Sequence, residues 1–95
     1  MMEDFGLMEA GDGKFAAATS YFGQARSCYT GRDDLLRVIM EEATAWNKLK
    51  NPKRGLDLLR AALRVAGDAP SAPLLKAMEQ EMRGVPARPN PSPAR

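Results

Sequence analysis

The sequence predicts an all-α fold, and three observations carry that prediction. Alanine and leucine are the commonest residues, while valine and isoleucine together number only four, a balance that favours helix over strand. Apolar residues recur at three- and four-residue spacing, as at Leu56, Leu59 and Leu63, with Asp57, Arg60 and Arg64 between them. Glycine, proline and asparagine breaks divide the chain into five stretches of helical length.

The first helix is expected over about Glu3 to Ala10, ended by Gly11-Asp12-Gly13. The second runs from about Lys14 to Tyr29, with Ala18, Phe22, Ala25 and Tyr29 along one face, and stops at Thr30-Gly31. The third runs from about Asp33 to Leu49. Asp33 or Asp34 is placed to cap it, and Leu35, Leu36, Ile39, Ala43 and Trp46 form its apolar seam. The fourth starts at Pro52, a residue tolerated in a first helical turn, and ends near Ala66 before Gly67. The fifth opens with Ser71 as N-cap and Pro73 in its first turn, and reaches Arg83. Residues 1–84 are read as one helical domain. Residues 85–95, VPARPNPSPAR, hold four prolines and no acid, and are expected to be an extended, flexible tail. A PxxP spacing at Pro86 and Pro89 suits an aromatic-lined groove, though such tails are also plain unfolded ends.

Composition excludes several functions. The chain has 95 residues and a net charge of +2, and all of that charge lies in the tail, which disfavours a simple polyanion binder. No aromatic interleaves the basic run Lys48, Lys50, Lys53, Arg54, Arg60 and Arg64, so no nucleic-acid partner is expected. There is no histidine, which removes the commonest general base and metal ligand. Cys28 is the single cysteine, so neither an internal disulfide nor a thiolate zinc site can form. Without a histidine base Cys28 reads as a packing residue. Gly11-Asp12-Gly13-Lys14 lacks the spacing of a phosphate loop and no strand precedes it. Glu41-Glu42, and Glu79 with Glu81, read as carboxylates on exposed helix that do not converge. No catalytic residue, metal site or cofactor is expected. No stretch approaches the roughly 18 apolar residues of a membrane span, and the acidic N-terminus lacks the start of a secretory signal, so the expected compartment is cytoplasmic.

An internal repeat sharpens the fold. Ala43, Trp46, Gly55, Leu59 and Ala62 form a small–aromatic–small–large–small series across the third and fourth helices. Gly6, Phe15, Ala18, Phe22 and Ala25 partly repeat it across the first two, with Ala18 lying 37 residues before Gly55. Small residues let helices approach closely, and large ones fill the spaces left between them. This pattern resembles the tetratricopeptide repeat, whose usual period is about 34 residues. The extra length fits the Thr30–Asp33 connection. Glu9 departs from the pattern where the first repeat should carry an aromatic, and Gly67 departs near the usual closing proline. The resemblance spans residues 5–83. It implies antiparallel hairpins stacked as a short right-handed superhelix, with the fifth helix as a C-terminal cap. Ala77 and Met78 would pack inward in that cap, and Lys76, Glu79 and Arg83 would face water.

The resemblance also implies a function, namely binding a peptide or amphipathic helix of another protein as an adaptor or complex subunit. Its groove would be lined by Arg37, Met40, Thr44, Asn47 and Lys48 of the third helix, which share one helix face. Leu74, Met78, Glu81 and Met82 of the fifth would lie beside them, methionines being pliant at such surfaces. Each of these residues taken alone also reads as solvated face or ordinary core. The family's two-carboxylate clamp is not expected, because the first helix offers Glu3, Leu7 and Ala10 where basic residues would be needed. Two other roles fit the same residues. One is a small chaperone for a secreted or assembly-prone substrate. The other is a scaffold that assembles with its own copies through the acidic N-terminal twelve residues and the basic run.

Overall fold

A computed structural model describes residues 2–84, and the tail 85–95 with its PxxP spacing lies outside the described residues. Five helices and no strand occur among the described residues: α1 (Met2–Gly11), α2 (Phe15–Cys28), α3 (Arg32–Lys48), α4 (Pro52–Ala66) and α5 (Ala72–Met82). The extensive packing contacts run between consecutive helices, α1 on α2, α2 on α3, α3 on α4 and α4 on α5. The helices therefore pack most extensively against their neighbours in the chain.

The two hairpin turns have the same construction. After α1, Gly13 N–H donates to Ala10 C=O at 3.0 Å and Lys14 N–H to Glu9 C=O at 2.8 Å. After α3, Lys50 N–H donates to Asn47 C=O and Asn51 N–H to Trp46 C=O, both at 3.0 Å. This is the paired bonding of a Schellman cap, which needs a left-handed residue just past the helix. Gly13 supplies it at φ +79° and Lys50, 37 residues later, at φ +64°. Gly84 closes α5 with φ +79° and an N–H bond to Glu81 C=O at 3.0 Å.

The helix starts differ from the sequence expectation in one place. Gly31, in extended conformation, precedes α3 and its carbonyl accepts the Leu35 N–H at 3.0 Å. Asp33 and Asp34 lie inside the first turn and make no side-chain capping bond. They face the positive end of the helix dipole instead. Ser71 holds the N-cap position of α5 through its carbonyl, which accepts the Leu75 N–H at 3.0 Å, and its hydroxyl makes no capping bond.

The buried residues form two clusters, and α3 serves both. Ala18, Phe22 and Ala25 of α2 meet Val38 and Ala45 of α3. On another face of α3, Leu36, Ile39 and Ala43 meet Leu59, Ala62 and Ala66 of α4, with Leu75 of α5 closing that side. Two glycines mark the closest approaches. A β-carbon on Gly6 would stand 2.6 Å from the Phe22 ring, and one on Gly55 would stand 2.8 Å from Met82 Sδ and 3.1 Å from Ala43 C=O. Of the other residues of the repeat pattern, Ala18, Ala25, Ala43, Leu59 and Ala62 are buried, and Phe15 and Trp46 are half-buried.

In α5 the buried residue is Leu75, with Ala77 and Met78 half-buried beside it. Glu79 does not simply face water. Its carboxylate is largely covered and bridges Arg60 at 3.4 Å and Arg83 at 3.3 Å, tying α5 to α4. No helix among the described residues is long and apolar enough to cross a membrane.

Candidate interaction face

Three carboxylates inside the stack organise the surface around α3. Glu3 of α1 is buried, and its oxygens accept hydrogen bonds from Arg37 Nε and Nη2, both at 2.9 Å, and from Tyr29 Oη at 2.8 Å. Arg37 Nη1 also donates to Asp34 at 2.8 Å, and the guanidinium lies 5.7 Å from the centre of the Tyr29 ring. The Arg37 hydrogen bonds hold the Glu3 carboxyl far below its ordinary value, to about 2, against the opposing effect of burial. The same contact raises the pKa of Arg37, and Glu3 raises that of the Tyr29 hydroxyl. This knot joins α1, the end of α2 and α3.

Glu41 sits one helical turn further along. Its Oε1 is shielded from solvent and accepts from no donor among the described residues. Burial pushes its carboxyl up to about 7, and the nearby Glu3 adds to the effect. Glu41 lines a cavity of about 200 Å³ together with Leu7 and Ala10 of α1, Phe15 and Phe22 of α2, and Thr44 and Ala45 of α3. The cavity is thus a crevice between the first helices of the two hairpins, floored by α2.

Glu42 points to the other side of α3. It is only 3% exposed. Arg26 Nε donates to its Oε1 at 2.7 Å and Trp46 Nε1 donates to its Oε2 at 3.0 Å. The Arg54 guanidinium covers the Trp46 ring at 4.8 Å. Arg26, Glu42, Arg54, Asp57 and Leu58 line a second, more polar cavity of about 280 Å³ among α2, α3 and α4. Glu41 and Glu42 were expected on exposed helix. The structure buries Glu42 and half-buries Glu41, because α3 is the middle layer and is covered from two sides.

The residues expected to line a groove are distributed over three settings. Thr44 lines the α1–α3 crevice, with its hydroxyl donating to Met40 C=O at 2.9 Å, and Asn47 and Lys48 are exposed further along α3. Arg37 is committed to Glu3 and Asp34. Met40, Met78 and Met82 are half-buried against the α3–α4–α5 core, Met82 lying over Gly55. Leu74 and Glu81 are exposed on α5.

Sequence reasoning missed the roles of Glu3, Glu41 and Glu42. For Glu42 a signal existed, since Val38, Glu42 and Ala45 recur at helical spacing and mark a second covered face of α3. Cys28, expected to pack, is exposed. No group of three or more histidine, cysteine, aspartate or glutamate residues that could hold a metal ion occurs among the described residues. No family model, curated protein or solved structure matches the chain.

Proposed function

We propose that this chain is a protein–protein interaction module: a short array of tetratricopeptide-like hairpins, closed by α5, that binds a peptide or amphipathic helix of a partner protein as an adaptor or complex subunit. The observation that carries the reading is the crevice between α1 and α3, the first helices of the two hairpins. Its wall combines apolar side chains with Thr44 and Glu41, and exposed Asn47 and Lys48 continue the same helix beyond it. A concave apolar site with few polar groups is the usual form of a binding site. The identical turn chemistry at Gly13 and Lys50, and packing that is most extensive between consecutive helices, support the repeat reading.

The test compares partners retained from the native cell by the tagged chain and by two variants. A Thr44→Ala, Asn47→Ala, Lys48→Ala variant alters exposed positions on α3 and is expected to lose a stoichiometric partner while remaining helical. A Lys53→Ala, Arg64→Ala variant on the outer side of α4 is expected to retain it. Retention by both variants contradicts the reading.

One observation favours a second reading. Phe5, Leu7 and Met8 of α1 are each close to half exposed or more, Phe5 stacking on Tyr21 and Leu7 lining the crevice. In a self-assembling scaffold this apolar surface, with Asp4 and Glu9 beside it, would meet the Lys53 and Arg64 side of another copy. Salt-sensitive oligomers of the purified chain in sedimentation would support this.

A further inference from the structure

We propose that Glu3 and Glu41 form a proton-operated clasp that holds the first turn of α1 against α3, and that loss of the shared proton releases α1 and widens the crevice. The two groups come from different helices and share a side-chain hydrogen bond. Two ionised carboxylates have no hydrogen to share, so the bond exists only while one of the pair is protonated. Glu3 already accepts two hydrogen bonds from Arg37 and one from Tyr29, all of which favour its ionised form. The proton therefore resides on Glu41, which is half-buried with its Oε1 shielded from solvent.

The surroundings offer little to balance a second carboxylate. From α1, Glu3 and Asp4 act on Glu41, and from α3, Arg37. From α2 the crevice wall is Phe15 and Phe22, neither of which titrates, and the Tyr29 hydroxyl beyond α2 is bonded to Glu3. Arg37 is the one cation acting on Glu41 among the described residues, and Glu3 and Asp34 already hold it. Once the proton passes to water, Glu3 and Glu41 repel each other at close range in a partly dehydrated setting. α1 can respond, because its extensive packing is on α2 and it meets α3 at this cluster and at the crevice. The core shared by α3, α4 and α5 lies on another face of α3 and need not open. What the clasp means for a partner rests on the reading of the crevice as a partner site: the partner would meet a narrow crevice in acid and a wider one above about pH 7.

The test places a nitroxide label at Asp33→Cys, an exposed position at the start of α3, in a Cys28→Ser background that leaves one thiol. Paramagnetic broadening of backbone amides in the full chain then reads the distance of α1 from α3. Amides of residues 3–7 should be strongly broadened in acid and recover as pH rises. The ratio of seated to released α1 should fall about tenfold per pH unit between the ordinary carboxyl value of 4.5 and about 7, and level off above. Amides of residues 36–38, fixed to the label by their own helix, should stay broadened throughout. In Glu41→Gln the carboxamide N–H donates to Glu3 at every pH, so residues 3–7 should stay broadened. The series with Glu41 intact can fail even if Glu41→Gln does not fold. Broadening of residues 3–7 that does not change with pH, loss of broadening at residues 36–38 as well, or the same transition in Glu41→Gln would overturn the clasp. The series uses the chain without a partner. An α1 that stays seated at every pH therefore leaves the interaction module standing, and a partner retained by the Thr44, Asn47 and Lys48 variant removes the module and leaves the clasp.

Discussion

The ring of Phe22 occupies the space that a side chain on Gly6 would need, since a β-carbon there would lie 2.6 and 2.7 Å from two ring carbons. Phe22 is itself 1% exposed and cannot swing away. Gly6→Ala should therefore destabilise the chain by about 2 kcal/mol, overpacking outweighing the gain of about 1 kcal/mol in helix propensity. Gly23→Ala, also within a helix but with only the tip of Arg26 within 4 Å, should stabilise by about 0.5–1 kcal/mol. Urea denaturation of both variants checks the contrast. Equal and favourable shifts would show that α1 does not seat on Phe22.

Lys50 holds a left-handed conformation at φ +64° in the same turn position that Gly13 fills after α1. A side chain there costs about 1 kcal/mol that glycine avoids. Lys50→Gly is expected to raise stability by about that amount, read as a higher urea midpoint with an unchanged slope. The reverse change, Gly13→Lys, should lower it by a similar amount.

The Arg26–Glu42–Trp46 contact should respond unequally to loss of its two charges. Arg26→Met leaves a carboxylate that is 3% exposed with only the Trp46 N–H for company, at a cost of about 3 kcal/mol. Glu42→Gln keeps an acceptor oxygen and leaves Arg26, whose side chain is 35% exposed, to water, at a cost of about 1 kcal/mol. Equal losses on denaturation would mean that Glu42 is better solvated than its position implies.

Glu3 and Glu41 should shape stability against pH in opposite senses. The folded Glu3 carboxyl titrates far below its ordinary 4.5, so its contribution is present above that value and is lost as pH falls toward about 2. The folded Glu41 carboxyl titrates above its ordinary 4.5. The folded state then holds a proton that the unfolded chain has released, and stability declines as pH rises from there to about 7. The melting temperature followed by circular dichroism should peak near the ordinary carboxyl range and fall on both sides. Glu41→Gln should remove the decline on the alkaline side and leave the acid side in place.

Helix positions were readable because glycine and proline punctuate the chain, and each observed helix lies within about two residues of its expected span. The small–large–small spacing identified Ala18, Phe22, Ala25, Gly55, Leu59 and Ala62 as contact positions because close helix approach demands small residues there. The polar interior was not readable. Whether Glu3 meets Arg37, 34 positions away, depends on how α1 crosses α3, and no local pattern encodes that crossing. In α5 the adjacent Leu74 and Leu75 could each have been the inward residue, and only the helix phase set by Ser71 and Pro73 makes it Leu75. The α5 methionines were assigned to a groove because Met suits both a core and a docking surface. The nearness of Met82 to Gly55 places it in packing.

The central claim, that a partner seats in the crevice between α1 and α3, is tested most directly by amide hydrogen exchange of the chain free and bound to the partner it retains from the cell. The account predicts slowed exchange confined to residues 3–10 and 40–48, with the outer side of α4 over residues 53–65 unchanged. Protection of residues 53–65 with none over 3–10 and 40–48 would contradict it.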